Sequence, residues 1–189
     1  FAVQQMTFFI NSLCHTIGDR PYSSNCSARD SWIMAIFTFG EGYHNYHHEF
    51  QHDYRNGVKW WQWDPTKWSI WTLEKLGMVS DLRRVQEEKI LAAQLHEARR
   101  RVQTTLANTS LQLGAKREEL LRAADVRLHE LAERWADLKE YYFQRAEELK
   151  ESAAEITDQK LKEAREAVEE MRREIRATLT LLDGLPQAA

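Results

Sequence analysis

Three histidines lie within five residues of one another in the segment 40–48, which reads GEGYHNYHH. In a helix, positions i, i+3 and i+4 share one face, so His44, His47 and His48 would point in the same direction. Neutral imidazole is a good ligand for zinc, copper, iron and nickel, and the spacing therefore predicts a metal site. Upstream, Asn11 and His15 are four residues apart and could share a second helical face.

Carboxylates and glycines flank the histidine cluster. Glu41, Glu49 and Asp53 are placed where a carboxylate could orient a ring nitrogen that binds a metal. Gly40 and Gly42 would let backbone pack closely around a site, although a simple helix break explains them equally well. A single histidine in this setting is as consistent with an ordinary hydrogen-bonded or surface side chain, but the cluster favours a metal.

The composition of the chain changes near Val85. Residues 1–85 hold 8 Lys+Arg, 8 Asp+Glu and 16 of the 20 aromatic residues, so residues 86–189 hold 26 − 8 = 18 basic and 29 − 8 = 21 acidic residues. We therefore expect two regions, 1–85 and 86–189, in an all-α protein. The formal net charge of −3 gives no sign of nucleic-acid binding. The two cysteines are too few for a disulfide framework and are expected to be reduced thiols.

Turn and cap residues predict three helices in the first region besides the histidine segment. The first begins in the apolar run at Phe1 and should end near Gly18, and Ser27 or Asp30 could cap the second. The third is predicted over Thr66–Leu82, with Asp64 as its cap and proline at its first turn. The run at Phe1 is far shorter than the ~20 apolar residues that span a bilayer. It resembles the end of a longer hydrophobic helix, so we expect the chain to be a fragment.

Five tryptophans occur between positions 60 and 71, interleaved with Lys59 and Lys67. Indole rings beside lysines are typical of the membrane–water interface, and nearby basic residues favour the cytoplasmic face. The alternative is an ordinary aromatic core.

The second region carries apolar residues at steps of three and four, with charged residues on the other faces. This heptad pattern predicts a coiled coil, although its register slips near Ala123 and between Ile156 and Leu161. We expect self-association through 86–182; docking of an electron donor, or folding back on the first region, are alternatives. The segment 108–114 offers a bend that would allow an antiparallel hairpin instead. The seam consists of Leu128, Leu131, Trp135, Leu138, Tyr142, Leu149, Ile156, Leu161, Ala164, Val168, Met171, Ile175, Thr178 and Leu182.

Five motifs occur in order along the first region: NSLCH at 11–15, GDRPY at 18–22, GEGYHNYHH at 40–48, DYRNG at 53–57 and DPTK at 64–67. Together they resemble the C-terminal part of a membrane-bound acyl-CoA Δ9 fatty acid desaturase of the stearoyl-CoA type. The resemblance covers about residues 1–85 and implies nothing about the tail.

The resemblance implies a di-iron centre. His15, His44, His47 and His48 would be direct ligands of two iron ions, and Asn11 would act through water. Two further histidine boxes of the family would precede Phe1. Four ligands alone are therefore expected neither to hold two irons nor to desaturate an acyl chain. Thr7 and Phe8 match the lining of the acyl tunnel, although the family often has tryptophan in place of Phe8.

The resemblance also implies a substrate and partners. The expected reaction inserts a cis double bond into a saturated acyl-CoA or other acyl lipid with O2. Electrons would come from a separate donor such as ferredoxin, rubredoxin or a cytochrome b5-like protein. The expected location is a bacterial inner membrane, with the site on the cytoplasmic face. The alternatives are a related histidine-box hydroxylase and a non-catalytic coiled-coil protein carrying a degenerate histidine domain.

Overall fold

The computed structural model describes residues 1–108, 115–152 and 158–183. These residues are mainly helical, and the only pairings of strand type among them are isolated bridges that join Asp19 to Asp30 and Asp30 to Tyr43. The chain divides into two compact units, Phe1–Ala93 and Gln94–Ala189. The α-helices are α1 Ala2–Ser12, α2 Trp32–Phe37, α3 His44–Glu49, α4 Pro65–Lys75, α5 Glu87–Asn108, α6 Ala115–Ser152 and α7 Asp158–Asp183. None of the described helices has both the length and the apolar character required to cross a bilayer.

The first helix is shorter than its sequence predicts. α1 ends at Ser12, and Leu13–His15 form one turn of 3-10 helix rather than a continuation towards Gly18. The Cys14 carbonyl accepts a hydrogen bond of 2.7 Å from the backbone N–H of Arg29, which occupies an acceptor that a longer α-helix would use. The tighter turn brings His15 to the end of the element.

α2 is capped by neither residue predicted for it. The Ser31 hydroxyl, not that of Ser27, accepts from the Met34 N–H at 3.4 Å, and the Asp30 carboxylate bonds to a different helix. The loop that follows α2 packs directly onto it, because a Cβ at Gly42 would lie 2.0 Å from the Ala35 nitrogen. Only glycine permits that approach.

The Asp64 carboxylate organises the turn before α4. One oxygen accepts from the backbone N–H of Lys67, as predicted for a helix cap, and the other accepts from Asn56 and Gly57, all at 2.9 Å. The buried Lys67 ammonium donates to the carbonyls of Gly57, Lys59 and Gln62. Desolvation lowers the pKa of Lys67. This network of charge-assisted bonds fixes the loop that carries the first tryptophans.

α4 ends at Lys75, seven residues before the predicted end at Leu82. Gly77 has φ of +72°, and its N–H bonds to the Glu74 carbonyl, while the Met78 N–H bonds to Leu73. This pair of bonds is a Schellman motif, which stops a helix at glycine. The glycine was visible in the sequence, so the longer prediction overlooked a stop signal.

A buried carboxylate ties the end of the first region to its interior. Asp53 accepts from the Tyr46 hydroxyl at 2.7 Å, from the Arg55 guanidinium, and from the Val85 N–H at 2.8 Å. The Tyr54 N–H donates to the Arg83 carbonyl at 3.1 Å. Burial opposes ionisation of Asp53, but the Arg55 side chain and two backbone N–H donors outweigh it and lower its pKa.

In the second unit, α6 packs against α7 within one chain. Arg127 and Arg134 of α6 both reach Glu174 of α7, at 3.5 and 2.7 Å. The Arg134–Glu174 contact lies 18 residues before the end of α6 and 16 after the start of α7, and these nearly equal lengths indicate an antiparallel pair. The predicted bend at 108–114 lies, apart from Asn108, outside the described residues. Buried seam residues are Leu128, Leu131, Trp135, Met171 and Ile175.

Candidate metal centre

Three imidazoles from two elements meet at one point of the first unit. His44 Nε2 lies 3.1 Å from His15 Nε2 and 3.1 Å from His48 Nε2. One ring nitrogen from each of the three falls within 4.8 Å of the others. His15 comes from the 3-10 turn, whereas His44 and His48 stand one turn apart on α3.

The opposite face of α3 is anchored in the interior. Asn45 and Tyr46 are fully buried. The Asn45 amide oxygen accepts from the N–H groups of Tyr22 and Ser23, and its nitrogen donates to the carbonyls of Ser23 and Ala28. Because these two residues fix the rotation of the helix, the flanking histidines face the 3-10 turn.

The site keeps its central imidazole neutral. Burial, followed by the neighbouring His48, His15 and His47, lowers the pKa of His44 to about 4. Burial and two neighbouring histidines also lower the pKa of His48. Neutral imidazole is the form that binds a metal, so His44 and His48 present ligands rather than charges near neutral pH.

The donor set fits a transition-metal ion. His44 Nε2 lies 3.1 Å from two other ring nitrogens and cannot form a hydrogen bond with both as donor, since a neutral imidazole carries one N–H. Ligands about 2.0–2.1 Å from one ion, as in zinc–imidazole bonds, are roughly 2.8–3.4 Å apart at angles of about 90–109°. The His44 Nδ1 is buried and has no hydrogen-bond partner among the described residues. Histidines that serve only as structural hydrogen-bonding groups would not require three ring nitrogens to lie together.

Two other predicted ligands lie outside the group of three. The His47 ring stacks on His44, with centroids 5.9 Å apart and planes at 16°, and its centroid is 6.0 Å from that of His48. The exposed Asn11 side chain donates to the carbonyl of Thr7 on its own helix at 3.3 Å.

The two predicted carboxylates bond to other groups. Glu41 accepts from the Asn56 side chain at 2.9 Å. Asp53 uses its oxygens for Tyr46, Arg55 and Val85, so within the described part of the chain its partners are not histidines. The proposed tunnel residues Thr7 and Phe8 are exposed on α1, with Phe8 at 54%.

The sequence patterns did not identify three residues that belong to the site. Ser27 lies with its hydroxyl 2.9 Å from His15 Nδ1, and Asp30 bonds to two N–H groups of α3. Asn45 stands inside the histidine motif but received no role. Ser27 and Asp30 were visible only as possible helix caps, because their actual partners lie 12 to 16 positions away.

The chain is similar, over about half its length, to fatty acid desaturases. It is 47% identical over 102 residues to acyl-CoA desaturase 1 of Saccharomyces cerevisiae, a match covering 54% of this chain and 20% of that protein. A probable acyl-CoA desaturase of Schizosaccharomyces pombe is 44% identical over 88 residues, covering 47% and 18%. The sn-1 stearoyl-lipid 9-desaturase of Synechocystis is 41% identical over 81 residues, covering 43% and 26%.

The matches define a class of relatives, the acyl-CoA and acyl-lipid desaturases, rather than a whole-length counterpart. The chain spans between about a sixth and a quarter of the length of these three relatives. No protein-family model matches the chain.

Proposed function

We propose that this chain supplies part of the metal centre of a membrane-bound fatty acid desaturase. That enzyme would insert a cis double bond into a saturated acyl-CoA or other acyl lipid with O2. The observation that carries the proposal is the convergence of His15, His44 and His48 in a chain similar to proteins named as desaturases. The geometry of the histidines and the similarity to desaturases therefore support the same function.

The proposed cofactor is a pair of iron ions. His15, His44 and His48 would hold one ion, His47 would face the second, and Asn11 would act through water. When bound, such a pair supplies the oxidising chemistry that removes hydrogen from an unactivated methylene group. Burial within the chain keeps the His44 ring neutral, and the buried Asn45 and Tyr46 prevent α3 from rotating.

The remaining site residues have supporting roles in this proposal. Glu41 and Asp53 would steady the loops around α3 through Asn56 and Tyr46, which they bond directly. Thr7 and Phe8 would line the acyl tunnel from the exposed surface of α1. An apolar tunnel wall would hold the acyl chain and exclude water.

The tryptophan-rich surface of the first unit supports a membrane location. Trp60, Trp61 and Trp71 are 85%, 59% and 47% exposed, which is contrary to the alternative of an aromatic core. Lysine ammonium groups lie 5.3 to 5.8 Å from the ring centroids of Trp61, Trp68 and Trp71. Exposed indoles paired with cations suit a lipid headgroup layer. We propose that this surface lies on the cytoplasmic face; a bacterial inner membrane stays a prediction.

The tail and the electron supply complete the proposal. The boundary near Val85 would separate the desaturase region, 1–85, from the helical tail, 86–189. A separate ferredoxin, rubredoxin or cytochrome b5-like protein would deliver electrons. Self-association through 86–182 also stays a prediction, and the packing of α6 against α7 within one chain, with seam residues buried, favours the antiparallel hairpin instead.

The test uses the protein encoded by the whole reading frame that contains this chain. That protein, expressed in cells unable to make unsaturated fatty acids, should restore monounsaturated acyl chains. His44→Ala should abolish the product, whereas His129→Ala should not, because His129 is an exposed histidine of α6 paired with Glu133. Mass spectrometry of the lipids separates desaturation from hydroxylation. Restoration by the His44→Ala variant would refute the proposal.

Deleting residues 86–189 from the same protein tests the tail separately. Lipid analysis and sedimentation of the purified protein report activity and oligomer size. Self-association through the tail predicts a smaller oligomer after deletion, whereas a hairpin formed within one chain predicts no change in oligomer size.

A further inference from the structure

The two elements of the metal centre are both held by one segment, Ser27–Asp30, of the loop that joins the 3-10 turn to α2. This strap lies between the 3-10 turn that carries His15 and the helix α3 that carries His44. Its residues make direct hydrogen bonds to both. The segment is therefore placed to set the position of one side of the centre relative to the other.

On the first side, the strap holds the His15 ring and its backbone. The Ser27 hydroxyl oxygen is 2.9 Å from His15 Nδ1, while His15 Nε2 faces His44. The Arg29 N–H donates to the Cys14 carbonyl at 2.7 Å, and its guanidinium donates to Gly18 at 2.9 Å. The ring and the turn beneath it are thus fixed together.

On the second side, the strap caps the histidine helix. α3 receives no capping bond from the side chain of its own N-cap residue, Tyr43. Instead one Asp30 carboxylate oxygen accepts from the N–H of Asn45 at 2.7 Å and of Tyr46 at 3.0 Å. A carboxylate at the start of a helix satisfies free donors and favours the local dipole. The cap comes from 14 residues upstream of His44.

We propose that Ser27 and Asp30 are positioning residues of the metal centre. In the His15 form that binds a metal through Nε2, the Nδ1–H donates to the Ser27 hydroxyl oxygen 2.9 Å away, which orients the ring. Asp30 fixes the first turn of α3, and with it the direction of His44 and His48. Hydrogen bonds to the far nitrogen of a ligating histidine orient the ring and strengthen it as a ligand. The inference rests on the proposed metal centre and names residues outside its ligand set.

The first test measures Co²⁺ binding to the 189-residue chain by visible absorption. Ser27→Ala should weaken binding by about 10-fold or more, the effect typical of losing such a bond, and should change the absorption bands. Ser27→Thr keeps the hydroxyl and should restore both. Ser80→Ala is the matched control, because it removes an exposed serine hydroxyl that bonds only to the Asp81 side chain among the described residues.

A second readout needs no metal. Nitrogen-15 NMR of the imidazoles should find the proton of His15 on Nδ1 in the original chain, and a shift towards Nε2 in Ser27→Ala. A general loss of folding would change the signals of all the imidazoles, whereas loss of the Ser27 bond should change the tautomer of His15 alone.

The Asp30 arm compares two substitutions. Asp30→Asn keeps a carbonyl oxygen that can accept from the α3 N–H groups, so it should retain more Co²⁺ affinity than Asp30→Ala. Asp19→Ala is the control, since Asp19 pairs with Asp30 through its backbone and is exposed. Equal affinity in Asp30→Ala and the original chain would overturn the role of Asp30.

The outcomes separate the two proposals. If the original chain binds no Co²⁺ and His44→Ala behaves identically, the proposed metal centre fails and the positioning role falls with it. If the original chain binds Co²⁺ but Ser27→Ala has the same affinity, bands and His15 tautomer, the metal centre stands and the role of Ser27 is refuted.

Discussion

Replacing Asn45 with alanine removes four hydrogen bonds at once from a fully buried position. The lost bonds join the side chain to the N–H groups of Tyr22 and Ser23, at 2.9 and 3.2 Å, and to the carbonyls of Ser23 and Ala28, at 2.6 and 3.0 Å. All four partners belong to backbone, so they cannot turn away as side chains could. Alanine would leave them unpaired in a dry interior.

The size of the effect follows from the number of unpaired groups. At about 1 kcal/mol for each buried group, the loss is roughly 3–5 kcal/mol, which is a large part of the 5–15 kcal/mol that stabilises an ordinary domain. Metal affinity should fall too, because the loop tied by Asn45 leads to Ser27 beside His15.

Urea unfolding followed by tryptophan fluorescence measures this loss, because six of the seven tryptophans precede Val85. Asn25→Ala, an exposed asparagine in the same loop, is the matched control and should change stability by less than about 0.5 kcal/mol. If Asn45→Ala unfolds within 1 kcal/mol of the control, the claim that this amide holds the loop to the histidine helix is wrong.

Three further predictions concern other parts of the chain. Gly42→Ala should prevent the first unit from folding, since its Cβ would meet the Ala35 nitrogen at 2.0 Å. Gly77→Ala has open space around it and should cost only about 1–2 kcal/mol, because its φ of +72° strains any residue with a Cβ. Circular dichroism and tryptophan fluorescence would distinguish the two variants. The metal-free chain should lose stability as the pH falls from about 6.5 to about 4. The His44 pKa is about 4 in the folded chain, so the unfolded state binds the proton first. His44→Gln should flatten this dependence in urea titrations at several pH values, and an unchanged slope would contradict the prediction. In the tail, Ile175→Ala should lower the free energy of unfolding by about 2–5 kcal/mol, measured by thermal unfolding. Glu174→Ala loses only exposed ion pairs and should cost less than about 1 kcal/mol. The reverse order would refute the assigned core.

The sequence predicted what depends on local spacing. The HxxHH spacing placed His44 and His48 on one helical face, and Asp64 was identified as the cap of α4. Both follow from helix geometry within a few residues.

What the sequence did not predict depends on distant partners. The Cys14 carbonyl of the 3-10 turn accepts from the distant Arg29 N–H, and Asp30 caps a helix other than the next one. Such bonds form only once the chain has folded back, so no local pattern encodes them. The end of α4 is a different case, because Gly77 was a readable stop signal.

The bonds around Asp53 determine where a gene could be cut without damaging the histidine region. A stop after codon 82 would leave Asp53 without its donor at Val85, and would free the Tyr54 N–H from Arg83. A stop after codon 85 would keep both tethers, together with the Arg55 bond to the Val85 carbonyl. Residues 83–85 therefore determine whether a shortened protein keeps the hydrogen bonds that support the buried Tyr46.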